Sequence, residues 1–440
     1  MTGSTVTTPA LALTDLHGSL SDPLLDTMNF LNEIAIRFPD AISFAPGRPF
    51  DEPFDAAVVA GYLQAYERHL ERAGGLPHQQ AGSVLFQYGR TKGQIHDLVA
   101  ATIANDEGVR VDPESVVVTV GAQEGMLLVL RALIAGPRDV LLVGSPCYLG
   151  ITGAARLLDV PVEPIPEGPA GLDPQAVREA VRRLRAEGRR PRLLYVIPDF
   201  ANPSGIRMPL AARERLLQVA AEEDLLLLED NPYGMFTRDD VQLPVLKRLD
   251  SDRRVIYLGT FAKTCFPGAR VGFVVADQPV AGPDGAGGLL ADQLAKIKSM
   301  TTVNTSPLSQ AAIGGMLLAS DCRLRVSNAD RITAYRQRLD HLAAALERQF
   351  PAGVRDRLGV SWRIPDGGFF LVMRVPFVAD DEALLRSARQ HGVLWTPMGY
   401  FYLDGGGRHQ LRLSASYLQV DQIDEGVRRL GELVSQLAPG

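Results

Sequence analysis

The sequence predicts an α/β fold, with a mostly parallel central sheet covered by helices on both faces and a smaller α+β domain at the C-terminus. Three observations predict it. From about Val116, short apolar runs alternate with amphipathic stretches, as in βαβ units. Near Leu324 this pattern gives way to one long helical pattern followed by short strands. The length of 440 residues is sufficient for two hydrophobic cores.

The strands of the large domain are predicted from uniformly apolar runs, as expected for strands buried on both faces. They are Val116–Val120, Asp139–Val143, Leu193–Ile197, Leu225–Leu228, Val255–Leu258 and Val271–Val275. The stretches between them have apolar residues at three- and four-residue spacing, which predicts helices. The clearest are Gln123–Ile134, Asp173–Glu187 and Leu210–Glu222. The segment Val280–Leu290, rich in Gly and Pro, is predicted to be an exposed loop.

The C-terminal part is predicted to begin with the amphipathic helix Arg331–Phe350 and to end with the helix Asp421–Leu437. Between them lie the strand candidates Gly359–Arg363, Phe369–Arg374 and Gln410–Ser414. The first fifty residues are turn-rich, with one helical pattern at Leu24–Phe38. We therefore predict an N-terminal arm (1–50) that joins the small domain, a large domain (51–323) and a small C-terminal domain (324–440).

Charge and cysteine content exclude several classes of function. The formal net charge of −6 argues against binding to nucleic acid or to an anionic membrane surface. The basic cluster at 182–192 is interpreted as a solvated helix face. Three widely spaced cysteines without a C-x-x-C motif favour a reducing compartment. No Lys or Arg precedes Arg37, and no apolar run approaches the roughly 20 residues of a membrane span. These observations predict a cytoplasmic protein.

Polar residues that follow strands are the first candidates for function, because ligands of open α/β sheets bind beyond the carboxyl ends of the strands. The first predicted strand ends in VGAQEG. There the backbone N–H groups of Gly121, Ala122 and Gln123 could hold a phosphate at the start of a helix. The alternative is a turn that only packs a helix against the sheet.

Three further motifs follow later strands: PDFANPSG, LLLLEDNPYG and YLGTFAKTCFPGARVG. Together with VGAQEG they resemble the class I/II aminotransferases of PLP (pyridoxal 5'-phosphate) fold type I. The patterns N-P-[ST]-G, D-x-P-Y and [ST]-x-x-K-x-x-x-P-G-x-R occur here in the order of that family. The resemblance covers nearly the whole chain, from Gly47 to Arg412. It implies pyridoxal 5'-phosphate as the cofactor.

The resemblance also implies the residues that hold the cofactor ring. Lys263 would form the Schiff base, and Asp230 would keep the ring nitrogen protonated so that the cofactor can act as an electron sink. Asn202 and Tyr233 would donate hydrogen bonds to the phenolate oxygen, and Tyr148 in SPCYLG would stack on the ring. Taken singly, these residues are also compatible with a surface lysine, a loop acid, an Asn-Pro turn and packed tyrosines.

The phosphate is expected to bind the planar fork of Arg270 and the hydroxyl of Thr260. Tyr88 in QYGRTKG resembles the family tyrosine that reaches across a dimer interface to the phosphate of the partner, which implies a homodimer. A neighbouring cation or burial would lower the pKa of Lys263 and make it a nucleophile at neutral pH.

The resemblance assigns substrate binding to the second domain and the arm. Arg412 in LRLSAS would hold the substrate carboxylate through two parallel hydrogen bonds. Gly47 in APGRP would border the substrate. Gly367 and Gly368 in PDGGFF fit a close approach of the backbone beside Arg412, although simple turns would also explain all three glycines.

The chain departs from the family pattern at three places. Ala122 stands where many members have Ser or Thr, which removes one hydroxyl from the phosphate site. Asp199 replaces a frequent Asn, and Ala262 replaces a frequent Ser before the lysine. These departures leave open whether the amino donor and acceptor are the usual ones.

The implied activity is transfer of an amino group between an amino acid and a 2-oxo acid in two half-reactions (ping-pong), with Lys263 as anchor and as the acid/base that moves the α-proton. The same fold hosts lyases and oxidases, and some bacterial regulators carry such a domain as a non-catalytic PLP sensor.

The segments LTDLHGSL, ISFAPGRP, LFQYGRTKG and PDFANPSG are similar to bacterial transaminases that make non-proteinogenic amino acids for peptide antibiotics, of the hydroxyphenylglycine or enduracididine type. The aromatic run Tyr400, Phe401 and Tyr402 could line a side-chain pocket or pack a loop. Arg48 could face an acidic or phenolic side chain, or solvent.

Overall fold

The computed structural model describes residues 11–49, 55–282, 285 and 287–438. Its strands are β1 Ile42–Ser43, β2 Val116–Thr119, β3 Asp139–Ser145, β4 Val162–Gly168, β5 Gly171–Leu172, β6 Arg190–Val196, β7 Leu226–Asp230, β8 Val255–Thr260, β9 Gly272–Val275, β10 Ser361–Trp362, β11 Leu371–Arg374, β12 Val393–Leu394, β13 Thr396–Pro397 and β14 Gln410–Leu413.

The α-helices are α1 Pro23–Arg37, α2 Ala56–Arg72, α3 His78–Phe86, α4 His96–Asp106, α5 Gly121–Leu133, α6 Leu149–Leu157, α7 Pro174–Ala186, α8 Leu210–Glu222, α9 Leu246–Leu249, α10 Leu290–Thr301, α11 Pro307–Ala319, α12 Leu324–Ser327, α13 Ala329–Gln349, α14 Ala352–Leu358, α15 Asp381–Arg386 and α16 Val420–Leu437. Short 3-10 segments and one π-helical turn at Ser387–His391 complete the described elements.

The large sheet has eight strands among the described residues, in the order β2-β9-β8-β7-β6-β3-β4-β5. β4, β3, β6, β7 and β8 pair in parallel, whereas β9 runs antiparallel to β2 and β8. The predicted mostly parallel sheet with helices on both faces is therefore confirmed. All residues of β2, β8 and β9 are buried except Thr260, which agrees with their uniformly apolar sequences.

One strand of this sheet was not predicted. β4 carries two prolines and two glutamates and is only half-buried, so its sequence lacks the apolar signal of its neighbours. It pairs with β3 on one side and with the two-residue strand β5 on the other. β5 pairs only with Glu167 and Gly168, so the stretch with Pro164 and Pro166 has a described partner strand on one side only. Such an edge tolerates proline because fewer ladder hydrogen bonds are needed there.

The helix α7 illustrates how the covering layers form. The side chain of Asp173 accepts a hydrogen bond from the backbone N–H of Gln175, and proline occupies the first helical position. Val177, Val181 and Leu184 recur on one face and are fully or nearly fully buried. The opposite face carries the basic residues, several of which pair with glutamates, as the interpretation of cluster 182–192 expected.

A second sheet lies in the C-terminal part, with the antiparallel order β10-β11-β14-β13. The helices α13 and α16 pack against each other, and the core here includes Trp395, Phe350 and Leu342. The first residues of α13 instead share a core with the large domain, where Tyr335 packs against Phe369. The boundary at 323/324 stays a prediction.

The N-terminal arm is tied to the C-terminal part. β1 pairs in parallel with β12, and Thr396 Oγ1 donates a hydrogen bond to Ala45 O at 3.1 Å. Of the predicted arm, residues 1–10 and residue 50 lie outside the described part. The predicted loop 280–290 ends where α10 begins, and its residues 283, 284 and 286 also lie outside the described part. Among the described helices, none combines the length and the apolar character of a membrane span.

Candidate active site

A cavity of about 350 Å³ lies at the carboxyl ends of the parallel strands, where the large domain meets the C-terminal part. Sequence-predicted residues form much of its wall: Gly47, Ala122, Gln123, Tyr148, Asn202, Asp230, Tyr233, Thr260, Lys263, Arg270 and Arg412. They come from segments far apart in the chain. The sheet brings them together because β6, β7 and β8 are parallel and end at the same edge.

Asp230 is the last residue of β7 and is almost completely buried. The hydroxyl of Tyr195, on the adjacent strand β6, donates a hydrogen bond to its Oδ2 at 2.6 Å. Its Oδ1 is buried and has no partner among the described residues. Burial raises the pKa of Asp230 to about 7, and the hydrogen bond from Tyr195 opposes this shift. One oxygen of this carboxylate is therefore available to bind a ligand.

Lys263 follows β8 and extends into the cavity, where its Nζ donates a hydrogen bond to the carbonyl oxygen of Gly47 at 2.8 Å. Burial, together with the positive charges of Arg270 and Arg412, lowers the pKa of Lys263 to about 8. A lysine with such a pKa has a substantial fraction of free amine near neutral pH, which nucleophilic and acid/base chemistry both require.

One end of the cavity is built for an anion. The helix α5 begins at Gly121, so its first N–H groups have no partner within the helix. Gly121 has φ of +70°, and a Cβ there would lie 2.6 Å from Nη2 of Arg270. Arg270 itself is held in the left-handed region at φ of +51°. The positive φ favours glycine at position 121, and the free N–H groups beside the guanidinium of Arg270 together favour a phosphate.

Arg412, which also lines the cavity, is buried on β14. Its Nη1 donates to Asn202 Oδ1 at 2.6 Å, and its Nη2 donates to Ala45 O at 2.7 Å. The rings of Phe370 and Phe401 lie 4.3 and 5.0 Å from the guanidinium carbon. Burial lowers the pKa of Arg412 to about 10.

Two tyrosines complete the wall. Tyr148 lies just before α6, and burial raises its pKa to about 12. Tyr233 is buried against Phe369 and Phe370, with ring centroids 5.3 and 5.4 Å apart, and burial also raises its pKa. Both hydroxyls therefore stay protonated and can donate hydrogen bonds inside the cavity.

A family model described as "Aminotransferase class I and II" matches residues 62–430. The chain belongs to the class I and II aminotransferases.

Relatives of this aminotransferase match over almost its whole length. It is 50% identical to the (S)-3,5-dihydroxyphenylglycine transaminase of Amycolatopsis orientalis over 97% of this chain and 95% of the relative. It is 35% identical to the 2-aminoadipate transaminase of Thermus thermophilus, with 91% of each chain covered. The crystal structure of the Thermus thermophilus α-aminoadipate aminotransferase superimposes with a TM-score of 0.78 at 31% identity, covering 97% of this chain and 99% of that one.

The protein is a PLP-dependent aminotransferase, so the predicted enzyme class and cofactor are confirmed. The residues that line the cavity also fit pyridoxal phosphate independently of these relatives. The cavity offers Oδ1 of Asp230, which has no partner among the described residues, an anion site at Gly121 and Arg270, and the amine of Lys263. Its volume lies in the range usual for small-ligand sites.

Some residues of the aminotransferase lie away from the cavity. Tyr88 is 86% exposed and does not line it. Gly367 and Gly368 pack against Phe200, whose ring or Cβ a Cβ on either glycine would meet within 2.5 Å. Glycine is favoured at both positions because Phe200 lies so close to their backbone. Neither residue lines the cavity.

Asp199, one of the departures from the family pattern, has a structural explanation. It is buried and accepts hydrogen bonds from Nη1 and Nη2 of Arg213 at 2.9 and 2.7 Å, and from Nε of Arg207 at 3.1 Å. The arginine Arg213 is fully buried. In this aminotransferase the carboxylate of Asp199 neutralises buried arginines, which an asparagine could not do.

Several wall residues of the aminotransferase were not predicted from the sequence as part of the site: Ala45, Pro46, Met126, Leu149, Ile197, Pro232, Phe370 and Thr396. Of the aromatic run, only Phe401 lines the cavity, whereas the hydroxyl of Tyr400 bonds Asp381 outside it. Tyr195 was also missed. Its place near the carboxyl end of the predicted strand Leu193–Ile197 was a usable signal, since ligands bind beyond the carboxyl ends of such strands.

Proposed function

We propose that this aminotransferase exchanges the amino group between an arylglycine, with a hydroxylated phenyl ring on the α-carbon, and the matching aryl 2-oxo acid. We further propose that it serves the biosynthesis of a non-proteinogenic amino acid for a peptide antibiotic. The observation that carries this proposal is 50% identity, over 97% of the chain, to a (S)-3,5-dihydroxyphenylglycine transaminase.

The cavity wall supports an aromatic substrate. Apolar side chains from Leu149, Phe370 and Phe401 face the space beside Arg412. Arg48 also lines the cavity, with its guanidinium 4.4 Å from the ring centroid of Tyr417 and its backbone oxygen bonded by Ser416. A phenyl ring suits the apolar wall, and the planar donors of an arginine suit a phenol oxygen.

When bound, pyridoxal phosphate supplies an electron sink for the negative charge that develops at the α-carbon. We assign the ring nitrogen to Asp230, the phenolate oxygen to Asn202 and Tyr233, and the ring face to Tyr148. The phosphate is assigned to Gly121, Ala122, Gln123, Thr260 and Arg270. Each assignment is supported by position in the cavity wall or, for Gly121, by contact with Arg270.

The proton transfer is assigned to Lys263. With a pKa near 8, its Nζ can accept the α-proton of the amino acid and would then return it to the cofactor carbon. Arg412 would hold the substrate carboxylate and fix the direction of the α-hydrogen toward that amine. The apolar rings beside Arg412 exclude water from the carboxylate and strengthen the ion pair.

A substrate panel tests the proposal. We would measure kcat/KM for 3,5-dihydroxyphenylglyoxylate, 4-hydroxyphenylglyoxylate, phenylpyruvate and 2-oxoadipate, with glutamate or alanine as amino donor. We expect the aryl glyoxylates to be preferred by at least about tenfold, because one methylene in an apolar pocket is worth roughly 10–200-fold. Absence of turnover with any aryl oxo acid would contradict the proposal. Ammonia assays on the same samples would reveal elimination or oxidation instead of transfer.

We also propose a homodimer in which Tyr88 completes the phosphate site of the partner. Phe86, Tyr88 and Met300 are 73%, 86% and 84% exposed, although large apolar side chains are normally covered. The segments that carry them are adjacent, since a Cβ on Gly89 would lie 3.8 Å from Asn304 Nδ2.

Mixed dimers test this arrangement. Lys263→Ala and Tyr88→Phe subunits would be mixed and the cofactor affinity of the lysine-containing site measured. If Tyr88 acts across the interface, the mixed dimer regains the wild-type affinity, because that site receives an intact Tyr88 from the partner. If the affinity stays as in the Tyr88→Phe homodimer, or the protein sediments as a monomer, the proposal is wrong.

We place the enzyme in the cytoplasm, a proposal supported by three buried cysteines without disulfide bonds. Fractionation of the producing cells measures this directly, and recovery in the secreted fraction would contradict it.

A further inference from the structure

A buried carboxylate lies next to the anion end of the cavity. Glu124 is in the first turn of α5, and its side chain is 8% exposed. Its Oε2 accepts a hydrogen bond from the backbone N–H of Val120 at 2.6 Å, the residue directly before the turn Gly121–Gln123. Glu124 thereby fixes the chain where it leaves β2 and enters the helix.

Such a carboxylate is unfavourable beside a phosphate. The free N–H groups of the helix start attract one anion, and a second negative charge nearby raises the free energy of both. In a partly buried site the effective dielectric constant is low, so this repulsion extends over several ångströms. A phosphate held at Gly121 therefore requires that the charge of Glu124 be compensated.

Lys298 provides this compensation from α10. Its side chain is fully buried, and its Nζ donates to Oε1 and Oε2 of Glu124 at 3.0 and 2.7 Å and to Thr302 Oγ1 at 2.8 Å. The hydroxyl of Thr302 also donates to Glu124 Oε1 at 2.5 Å. Burial lowers the pKa of Lys298, while the hydrogen bond and the charge of Glu124 oppose that shift.

We propose that Lys298 is a positioning residue for the cofactor phosphate. By neutralising Glu124, it lets this carboxylate fix the turn at Gly121 without repelling the phosphate. The inference rests on the cofactor placement under the proposed function, because only a phosphate at this turn is sensitive to the charge of Glu124.

The test compares pyridoxal phosphate with pyridoxal, which lacks the phosphate. The full-length enzyme would be freed of cofactor and titrated with each compound by absorbance, giving two dissociation constants. Lys298→Met leaves the charge of Glu124 without a neighbouring cation, and we expect it to weaken pyridoxal phosphate binding by on the order of tenfold or more, with pyridoxal binding changed little. Glu124→Gln keeps an acceptor for Val120 and is expected to bind pyridoxal phosphate at least as tightly as wild type.

The double variant Glu124→Gln/Lys298→Met has no buried charge at this place and is expected to recover most of the lost affinity. It also serves if Lys298→Met alone does not fold. The matched control is Lys247→Met, which removes another buried lysine, paired with Asp277 at 2.6 Å near the start of β8. It should lower stability without changing the ratio of the two dissociation constants.

The outcomes separate the two proposals. If wild type binds pyridoxal as tightly as pyridoxal phosphate, the placement of the phosphate is wrong. If wild type prefers pyridoxal phosphate but Lys298→Met keeps that preference, or Glu124→Gln loses it as Lys298→Met does, the role of Lys298 is wrong. If Lys298→Met does not fold, loss of the preference in the double variant likewise overturns the role of Lys298.

Discussion

Two buried aspartates of the large domain show how differently a folded chain can treat the same side chain. Asp199 is enclosed by Arg207 and Arg213, which bond both of its oxygens. Asp230 has one donor, Tyr195, and an Oδ1 without a partner among the described residues. The pKa of Asp230 is raised to about 7 by burial. A fully paired buried charge supports the fold, whereas one with an unused oxygen is held ready for a ligand.

Other cavity residues resemble Asp230 in having a shifted pKa or a buried polar atom that is not bonded by any described residue. Lys263 has a lowered pKa, and within the described part of the chain its amine bonds only Gly47. The Nε of Arg412 is buried without a partner among the described residues. Substitutions in the cavity should therefore reduce catalysis with little loss of stability, and substitutions around Asp199 should do the reverse.

The largest effect is expected for Lys263→Ala. Without the amine that moves the α-proton, kcat/KM should fall by at least about 10³-fold. The visible absorbance of the lysine-linked cofactor should disappear, while the melting temperature of the cofactor-free protein stays close to that of wild type. Lys296→Ala, at an exposed lysine, is the control and should retain activity. Activity retained by Lys263→Ala would refute the assignment.

Asp230→Asn should lower kcat by about 10² to 10³-fold, because the cofactor ring loses its anionic partner. The same substitution is expected to stabilise the fold relative to wild type as the pH rises. A carboxyl whose folded pKa is raised stabilises the fold below its unfolded pKa of 3.8 and loses this contribution as pH rises through about 7. In cofactor-free protein, the unfolding free energy of the variant relative to wild type should therefore increase between pH 4 and pH 8. A constant difference over this range would show that Asp230 titrates normally.

Asp199→Asn tests the other buried aspartate, which is fully paired. It leaves Arg213 and Arg207 without a buried anion, and the free energy of unfolding should fall by about 3 kcal/mol or more. Denaturant titration measures this, and kcat of the folded fraction should change less than about threefold. A large loss of kcat with unchanged stability would place Asp199 in the catalytic machinery after all.

Arg412→Lys should act mainly on KM. A single ammonium cannot make two parallel hydrogen bonds to a carboxylate, so KM for the amino acid should rise by about 30-fold, equivalent to about 2 kcal/mol. The exposed Arg408 offers the matched control Arg408→Lys, for which no change is expected. Equal KM values in wild type and Arg412→Lys would move carboxylate binding to another residue.

The smallest effect is expected for Tyr195→Phe, which removes the donor to Asp230 while keeping the ring. We expect a loss of about 1 kcal/mol of transition-state stabilisation and an upward shift of the acidic limb of the kcat/KM profile, since the donor lowers the pKa of Asp230. Tyr257→Phe on the other neighbouring strand removes a comparable buried bond, to Asn231. If both variants shift the profile equally, the effect is structural.

Local patterns in the sequence predicted most of the fold. The apolar runs of β2, β3 and β6 to β9 were located to within a few residues, and so were the helices α5, α7, α8, α13 and α16. The strand β4 was missed because it is half-buried and its sequence lacks an apolar run. The helices α2 to α4 precede the alternating strand and helix pattern and were not predicted. Strand direction was also undetermined locally, since the antiparallel course of β9 depends on its neighbours.

The candidate site was predictable where motif and strand end coincide, as for Lys263, Asp230 and Arg270. Contacts between remote segments were not. Nothing in the local sequence shows that Arg412 bonds Asn202, 210 residues away, or that Lys263 bonds Gly47, 216 residues away. The same holds for Phe401, which lines the cavity while the neighbouring Tyr400 bonds outside it.

The pairing of β1 with β12 bears on how the chain assembles during synthesis. The bond between Ala45 and Thr396 joins residues 351 positions apart, whereas the parallel strands of the large sheet follow one another at shorter intervals. Domains fold as units as the chain emerges, and contacts of long sequence separation form late. The large sheet can therefore form first on the ribosome. The arm with Gly47 can dock only after β12, in the last quarter of the chain, has been synthesised. Gly47, the partner of the lysine amine, is synthesised early but reaches its place only when β12 is available, so the active site is completed late in synthesis.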